Sequence, residues 1–200
     1  MAPRELLFRE GDPAGCCYLV TEGCLKLSKI NEQGREVILR YVCSRELTAV
    51  LAVLEGRGYP VTAEAITETR GVVWDKKAFK ALMSGCPAIS MALFTNVYER
   101  LEDLQNRYLE LSSEPVEQRI ARFILRLMGQ SGRKTRDGVA IEIPLTRQSI
   151  ADYIGASIYT VSRTLSVWEK RGWMKSRWQK IIVMDSDALA DTGAGPGPGC

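Results

Sequence analysis

Two sets of residues in this 200-residue chain have side chains and spacing suited to chemistry. The first is Cys16, Cys17, Cys24, Cys43, Cys86 and Cys200. Adjacent Cys16 and Cys17, with Cys24 and Cys43, fall on expected strands and could form a thiol sensor or a soft-metal site. The plainer reading is that these cysteines are small apolar residues filling a sheet, and a reducing cytoplasm argues against structural disulfides. The second set lies between residues 145 and 184. There Tyr159, Ser162, Arg163, Ser166 and Lys170 recur on one helical face, a polar stripe ending in basic charge. Histidine is absent, which removes Ser-His and Cys-His catalysis, His-ligated haem and most zinc sites. Asp152 and Glu169 read as surface charges and not as an acid/base couple. The expectation is a binding protein with no catalytic residues and no assigned metal ligands; its cofactor is left unknown.

Charge separates along the chain. Residues 1–114 hold 14 Lys/Arg against 16 Asp/Glu, whereas residues 115–184 hold 13 against 5. The last sixteen residues add three aspartates, and the total returns to +3. A basic block beside a near-neutral one suggests that one half meets a polyanion. The longest apolar run, Ala49 to Leu54, is six residues. A bilayer needs about 20, and the charged amino terminus does not read as a signal peptide. No membrane partner is expected, and the compartment is the cytoplasm.

The elements that position these residues follow from pattern. From Leu6 to about Val73, short runs rich in β-branched and aromatic residues alternate with turn signals at Gly11-Asp12-Pro13, Glu22-Gly23 and Asn31 to Gly34. That is the mark of an antiparallel roll or sandwich. From Pro87 the period becomes helical. Phe94, Val97, Leu101, Leu104, Tyr108 and Leu111 keep a 3-4-3-4-3 spacing with charged residues between them. So narrow a seam fits a two-stranded coiled coil, the alternative being a helix packed on its own β-domain. A second helix runs from Val116 to near Gly129. Gln130 to Gly138 reads as a polar loop and Val139 to Ile143 as a strand. The end of the chain, from residue 186 and above all the Gly/Pro-rich stretch after Asp191, is expected to be disordered.

Leu145 to Trp168 reads as helix, tight turn, helix. Thr146 is the expected N-cap, Gly155 supplies the left-handed turn, and Ser157 caps the next helix. Ile158, Val161, Leu165 and Trp168 form the buried side of that second helix. A polar face opposite them can enter a major groove about 12 Å wide, where arginine makes two hydrogen bonds to guanine. Trp173 to Ser176 and Lys180 to Met184 then look like a hairpin, a wing with Arg177 and Lys180 near its tip. The four tryptophans read as packing and wing residues.

Leu145-Thr-Arg-Gln-Ser-Ile-Ala-Asp-Tyr-Ile-Gly155, followed by Thr160-Val-Ser-Arg163, resembles the DNA-binding signature of the Crp/Fnr superfamily of bacterial transcription factors. Phe8-Arg-Glu-Gly-Asp-Pro13, Tyr18 to Leu27 and Tyr59-Pro-Val-Thr-Ala63 resemble its effector-binding, cyclic-nucleotide-binding-like β-roll. The resemblance spans residues 6 to about 184 in consistent order. It implies an α+β architecture with an N-terminal antiparallel β-roll (jelly-roll-like), a long dimerisation helix and a C-terminal winged helix-turn-helix. The expected domains are 1–86, 87–113 and 114–185, with 186–200 a disordered tail.

By the same resemblance, Arg163 reads a guanine with Ser162 assisting. Tyr159 stands where relatives commonly carry Glu, so the family's usual half-site does not transfer. Thr146, Arg147, Gln148 and Ser157 would hold phosphates, joined on the same basic surface by Ser166, Lys170, Arg177 and Lys180. Family members that bind cyclic nucleotides use a carboxylate and an arginine at places that here read Thr48-Ala-Val50 and Val61-Thr62. A cyclic phosphate would lose its charge-assisted partner there. The expected partners are a second copy of the chain, double-stranded DNA at a palindromic promoter site and, by family implication, RNA polymerase. The alternative is a thiol- or ligand-sensing module whose basic half docks on an acidic protein.

Overall fold

A computed structural model of the protein describes residues 1–194. The chain forms two compact units, Met1–Tyr108 and Leu109–Cys200.

The first unit holds β1 (Leu6–Phe8), β2 (Cys16–Glu22), β3 (Cys24–Ile30), β4 (Glu36–Cys43), β5 (Leu47–Thr48), α1 (Val50–Glu55), β6 (Thr62–Ala65), β7 (Arg70–Asp75), α2 (Lys76–Gly85) and most of α3 (Pro87–Ser113). Two antiparallel sheets, in the orders β1-β6-β3-β4 and β5-β2-β7, make the roll. Gly23 adopts φ 79°, and a Cβ there would lie 2.1 Å from the Glu68 carbonyl oxygen. Only glycine lets the chain leave one sheet and enter the other at this point. Alternation then sends Phe8, Val20, Leu25, Leu27 and Val42 into one core, which Tyr59 joins from the segment before β6. No pattern in the sequence marks the helices α1 and α2. Both are short, and α2 starts where Asp75 accepts the Ala78 N–H as an N-cap.

The long helix has two working faces. Every seventh residue from Leu93 faces the roll: Leu93 packs by Cys17, Val50, Val53 and Phe79. Arg100 donates to the Leu47 carbonyl, and Arg107 donates to those of Leu39 and Ile38. Burial, and then the nearby Arg40 charge, pull the Arg100 guanidinium down to about 10. The helix therefore does pack on its own β-domain, yet through a column other than the apolar seam.

The second unit contains α4 (Val116–Ser131), β8 (Gly132–Thr135), β9 (Gly138–Ile141), α5 (Arg147–Ile154), α6 (Ile158–Lys170), β10 (Met174–Arg177), β11 (Lys180–Val183) and α7 (Ser186–Ala194). One sheet runs β10-β11-β9-β8. The stretch expected as a polar loop after Gln130 supplies β8, because pairing with β9 from Gly132↔Ile141 to Thr135↔Gly138 satisfies its backbone. The core centres on Ile120, Phe123 and Ile124 of α4 with Ile150, Leu165 and Trp168.

The expected disordered tail is corrected for residues 186–194, which form α7. Asp185 accepts the Ala188 N–H at its start, Leu189 is fully buried, and Arg122 Nε donates to the Gly193 carbonyl at 2.9 Å. Burial of one leucine and a capped first turn outweigh the weak local signal. Residues 195–200, including Cys200, lie outside the described residues.

Candidate nucleic-acid interface

The interface is built on local caps. Thr146 Oγ1 accepts the Ser149 N–H at 2.9 Å, and Ser149 Oγ accepts the Thr146 N–H at 3.0 Å, a reciprocal capping box that starts α5. Gly155, at φ 70°, ends that helix, its N–H bonded to the Ala151 carbonyl. Ser157 Oγ accepts the Thr160 N–H at 3.1 Å and starts α6. Val161, Leu165 and Trp168 turn inward. The Trp168 indole N–H donates to Glu117 Oε1 at 3.1 Å, which fixes the rotation of α6 about its axis.

With that rotation set, the 3.6-residue period places the other face in solvent. Tyr159 is 84% exposed, Arg163 and Lys170 are exposed, and Ser162 and Ser166 are half-buried. Ile158 departs from its expected place on the buried side, being 38% exposed. It is the first residue after the cap, three residues before Val161, the first of the helix to be buried in the core.

Thr146, Arg147, Gln148 and Ser157 are exposed at the N-terminal ends of the two helices. Free N–H groups and the helix dipole there favour an anion. As an acceptor in its cap, Thr146 Oγ1 keeps its own hydrogen to donate. Gln148 is already partly engaged, donating to Asp152 Oδ1 at 2.7 Å. Arg177 and Lys180 are exposed and oppose each other at the end of the β10–β11 hairpin.

Glu169, which reads as an isolated surface charge in the sequence, is a hub. Its Oε1 accepts the Ser176 N–H at 3.2 Å and the Ser176 hydroxyl, while its Oε2 lies 3.8 Å from Arg147. It ties the hairpin to α6 and places Arg147 at the start of α5. No motif signals this, since the partners are 7 and 22 residues away. Asp137 likewise faces Lys175 at 3.7 Å. Glu169 and Asp137 are thus paired with cations, Asp152 accepts only the Gln148 amide, and Arg163, Lys170, Arg177 and Lys180 add positive charge to the face.

The seam residues Phe94, Val97, Leu101, Leu104, Tyr108 and Leu111 are all exposed. Met91 and Tyr98, also exposed, widen the stripe beyond the expected a/d positions.

The cysteine set does not converge. Cys16 and Cys17 lie in β2, opposite Asp75 and Trp74, whereas Cys24 and Cys43 oppose each other in the other sheet. Among the described residues no group of three His, Cys, Asp or Glu side chains could hold a metal ion. Cys24 and Cys43 are joined by a disulfide, Cα to Cα 4.1 Å. This corrects the expectation of free thiols: the β3–β4 register sets the two side chains side by side on one face. The Cys17 thiol is buried, and burial pushes it up to about 11, the character of an inert core thiol.

Of the two places expected to lack the carboxylate and the arginine, Val50 is buried and Val61 is half-buried against the roll core. Val50 packs on Cys17, Val53 and Phe79. The Thr62 hydroxyl accepts the Glu10 N–H at 3.1 Å. A cleft of about 380 Å³ elsewhere in the roll is lined chiefly by Leu7, Tyr18, Val20, Leu25, Val72 and Val73.

Comparison with known proteins agrees with this geometry. A model of the Crp-like helix-turn-helix domain matches residues 118–192, and one of the cyclic nucleotide-binding domain matches residues 1–86. The chain is 28% identical over 184 residues to a CRP-like cAMP-activated global transcriptional regulator of Mycobacterium tuberculosis, covering 92% of this chain and 82% of that protein. It is 27% identical over 191 residues to the transcriptional activator protein anr of Pseudomonas aeruginosa, covering 96% of this chain and 78% of that one. A solved CRP-family transcriptional regulator from Thermus thermophilus shares the fold, with a TM-score of 0.82 at 24% identity over 98% of this chain and 96% of the other. These relatives are regulators of transcription and not enzymes. With a β-roll, a long helix and a winged helix-turn-helix in this order, the chain belongs to the Crp/Fnr superfamily of transcription regulators.

Proposed function

We propose that this protein is a homodimeric, sequence-specific DNA-binding regulator that responds to an effector other than a cyclic nucleotide. The observation that carries this reading is the outward face of α6, where Arg163 and Tyr159 stand exposed beside the capped N-terminus of α5. Arg163 reads a guanine through O6 and N7, Ser162 and Tyr159 contact neighbouring bases, and Thr146, Arg147, Gln148, Ser157, Ser166, Lys170, Arg177 and Lys180 hold phosphates. Residues 1–86 sense, 87–113 pair and 114–185 bind DNA. Pairing along the seam from Phe94 to Leu111 sets two recognition helices on half-sites about 34 Å apart, on an imperfect palindrome. The reading includes contact with RNA polymerase, on family implication alone.

Val50 and Val61, apolar where the resemblance expects a carboxylate and an arginine, support the exclusion of cyclic nucleotides, since neither offers charge to the ligand. The effector acts by population shift, favouring one spacing of the recognition helices. Among the described residues no single helix is long and apolar enough to cross a membrane.

The test selects bound duplexes from a random pool and then compares two variants. Arg163→Ala should cost about 1–3 kcal/mol and relax the choice at one base pair. Arg147→Ala should weaken all sequences alike and reduce the salt dependence. Equal losses for both variants on selected and random duplexes would refute the assignment.

A further inference from the structure

The β10–β11 hairpin turns through Trp178 and Gln179, both left-handed, with φ 51° and 67°. Two-residue turns of this kind favour Asn-Gly or Asp-Gly, because other side chains are strained at positive φ. The turn therefore gains nothing from a tryptophan, and Trp178 is 91% exposed at its apex. The other three tryptophans are placed for packing. Trp168 is fully buried, Trp173 lies by Trp168 and under Arg171, and Trp74 meets Phe79 edge-on.

The apex is also held against the interface. The Gln179 carbonyl accepts the Leu145 N–H at 2.7 Å, one residue before the cap of α5. Ser176, at the base of the turn, is bound by Glu169. Arg177 and Lys180 flank the indole, so the tip offers an apolar blade, one N–H donor and two cations, with no carboxylate between them.

We propose that Trp178 lies in the minor groove beside the half-site read by α6 and makes the wing favour A·T pairs there. The inference rests on the DNA-binding reading above. A narrow minor groove attracts the flanking cations. Its floor at A·T pairs shows only acceptors, which suit an indole N–H; at G·C the guanine amino group adds a competing donor and fills the groove. Apolar side chains are known to wedge into this groove.

The experiment uses the full-length protein and a selected duplex, with the flanking pairs changed from A·T to G·C and to inosine·C, which lacks the guanine amino group. The wild type should bind the G·C-flanked duplex about tenfold more weakly and regain affinity with inosine. Trp178→Asn, which suits a left-handed turn better, should lose about tenfold on the A·T duplex and become indifferent to the flanks. Its thermal stability should be unchanged or higher. Unchanged affinity, a loss without any flank effect, or a drop in stability with Trp178→Asn would each overturn the proposal. Arg163→Ala, measured alongside, reports separately on the DNA-binding reading: if it keeps its specific loss while Trp178→Asn has none, only the wing inference fails.

Discussion

Replacing Leu104 with alanine probes the pairing of the long helices directly. Leu104 is 60% exposed in the protomer, on a seam it shares with Leu101 and Tyr108. The substitution removes three carbons, and burial of each is worth about 0.8 kcal/mol. Scaled by the exposed share, the loss is about 1.4 kcal/mol per protomer. A two-fold interface repeats every contact, so the dimer loses about 3 kcal/mol, or roughly 100-fold in its dissociation constant. Sedimentation velocity over a dilution series would read this directly. Asp103→Ala, one residue away and off the seam, should leave association unchanged. Binding to a palindromic duplex should fall with Leu104→Ala while binding to an isolated half-site does not. A dissociation constant within threefold of the wild type, or equal effects from both variants, would show that the seam does not pair the helices.

Two further outcomes concern the roll. Breaking the Cys24–Cys43 bond, by a dithiol reductant or by Cys43→Ser, opens a loop of 19 residues and should lower stability by about 3 kcal/mol. Coincident denaturant midpoints for the oxidised and reduced protein would contradict that. Glu36 is held below the ordinary carboxylate range: burial opposes this, but hydrogen bonds from Lys26 and Ser28 and the Lys26 charge overcome it. A depressed carboxylate stabilises the fold above its unfolded pKa, and that stability is lost as the pH falls through its folded pKa. The melting temperature should therefore drop as pH falls below about 4.5, and less steeply for Glu36→Gln. Identical slopes would refute the role of this pair.

Much of the interface could be read from the chain because its determinants are local. Thr146, Gly155 and Ser157 lie within one or two turns of the groups they cap, and a 3.6-residue period alone sorts Arg163 from Leu165. The 3-4 spacing from Phe94 to Leu111 marks the seam in the same way. Strand pairing resists such reading, since β8 and the Cys24–Cys43 bond depend on the register of neighbouring strands.

What the amino-acid order by itself determined was the family, the order of the elements and which face of α6 meets solvent, all set by interactions within a few residues. Only the folded chain decided that Glu169 joins the wing to α6, that Leu93, Arg100 and Arg107 hold the long helix on the roll, and that α7 docks through Leu189. It also decided that Trp178 stands at a strained apex tied to the start of α5. Each of these joins groups whose separation along the chain carries no period, and only burial and strand register bring them within hydrogen-bond reach.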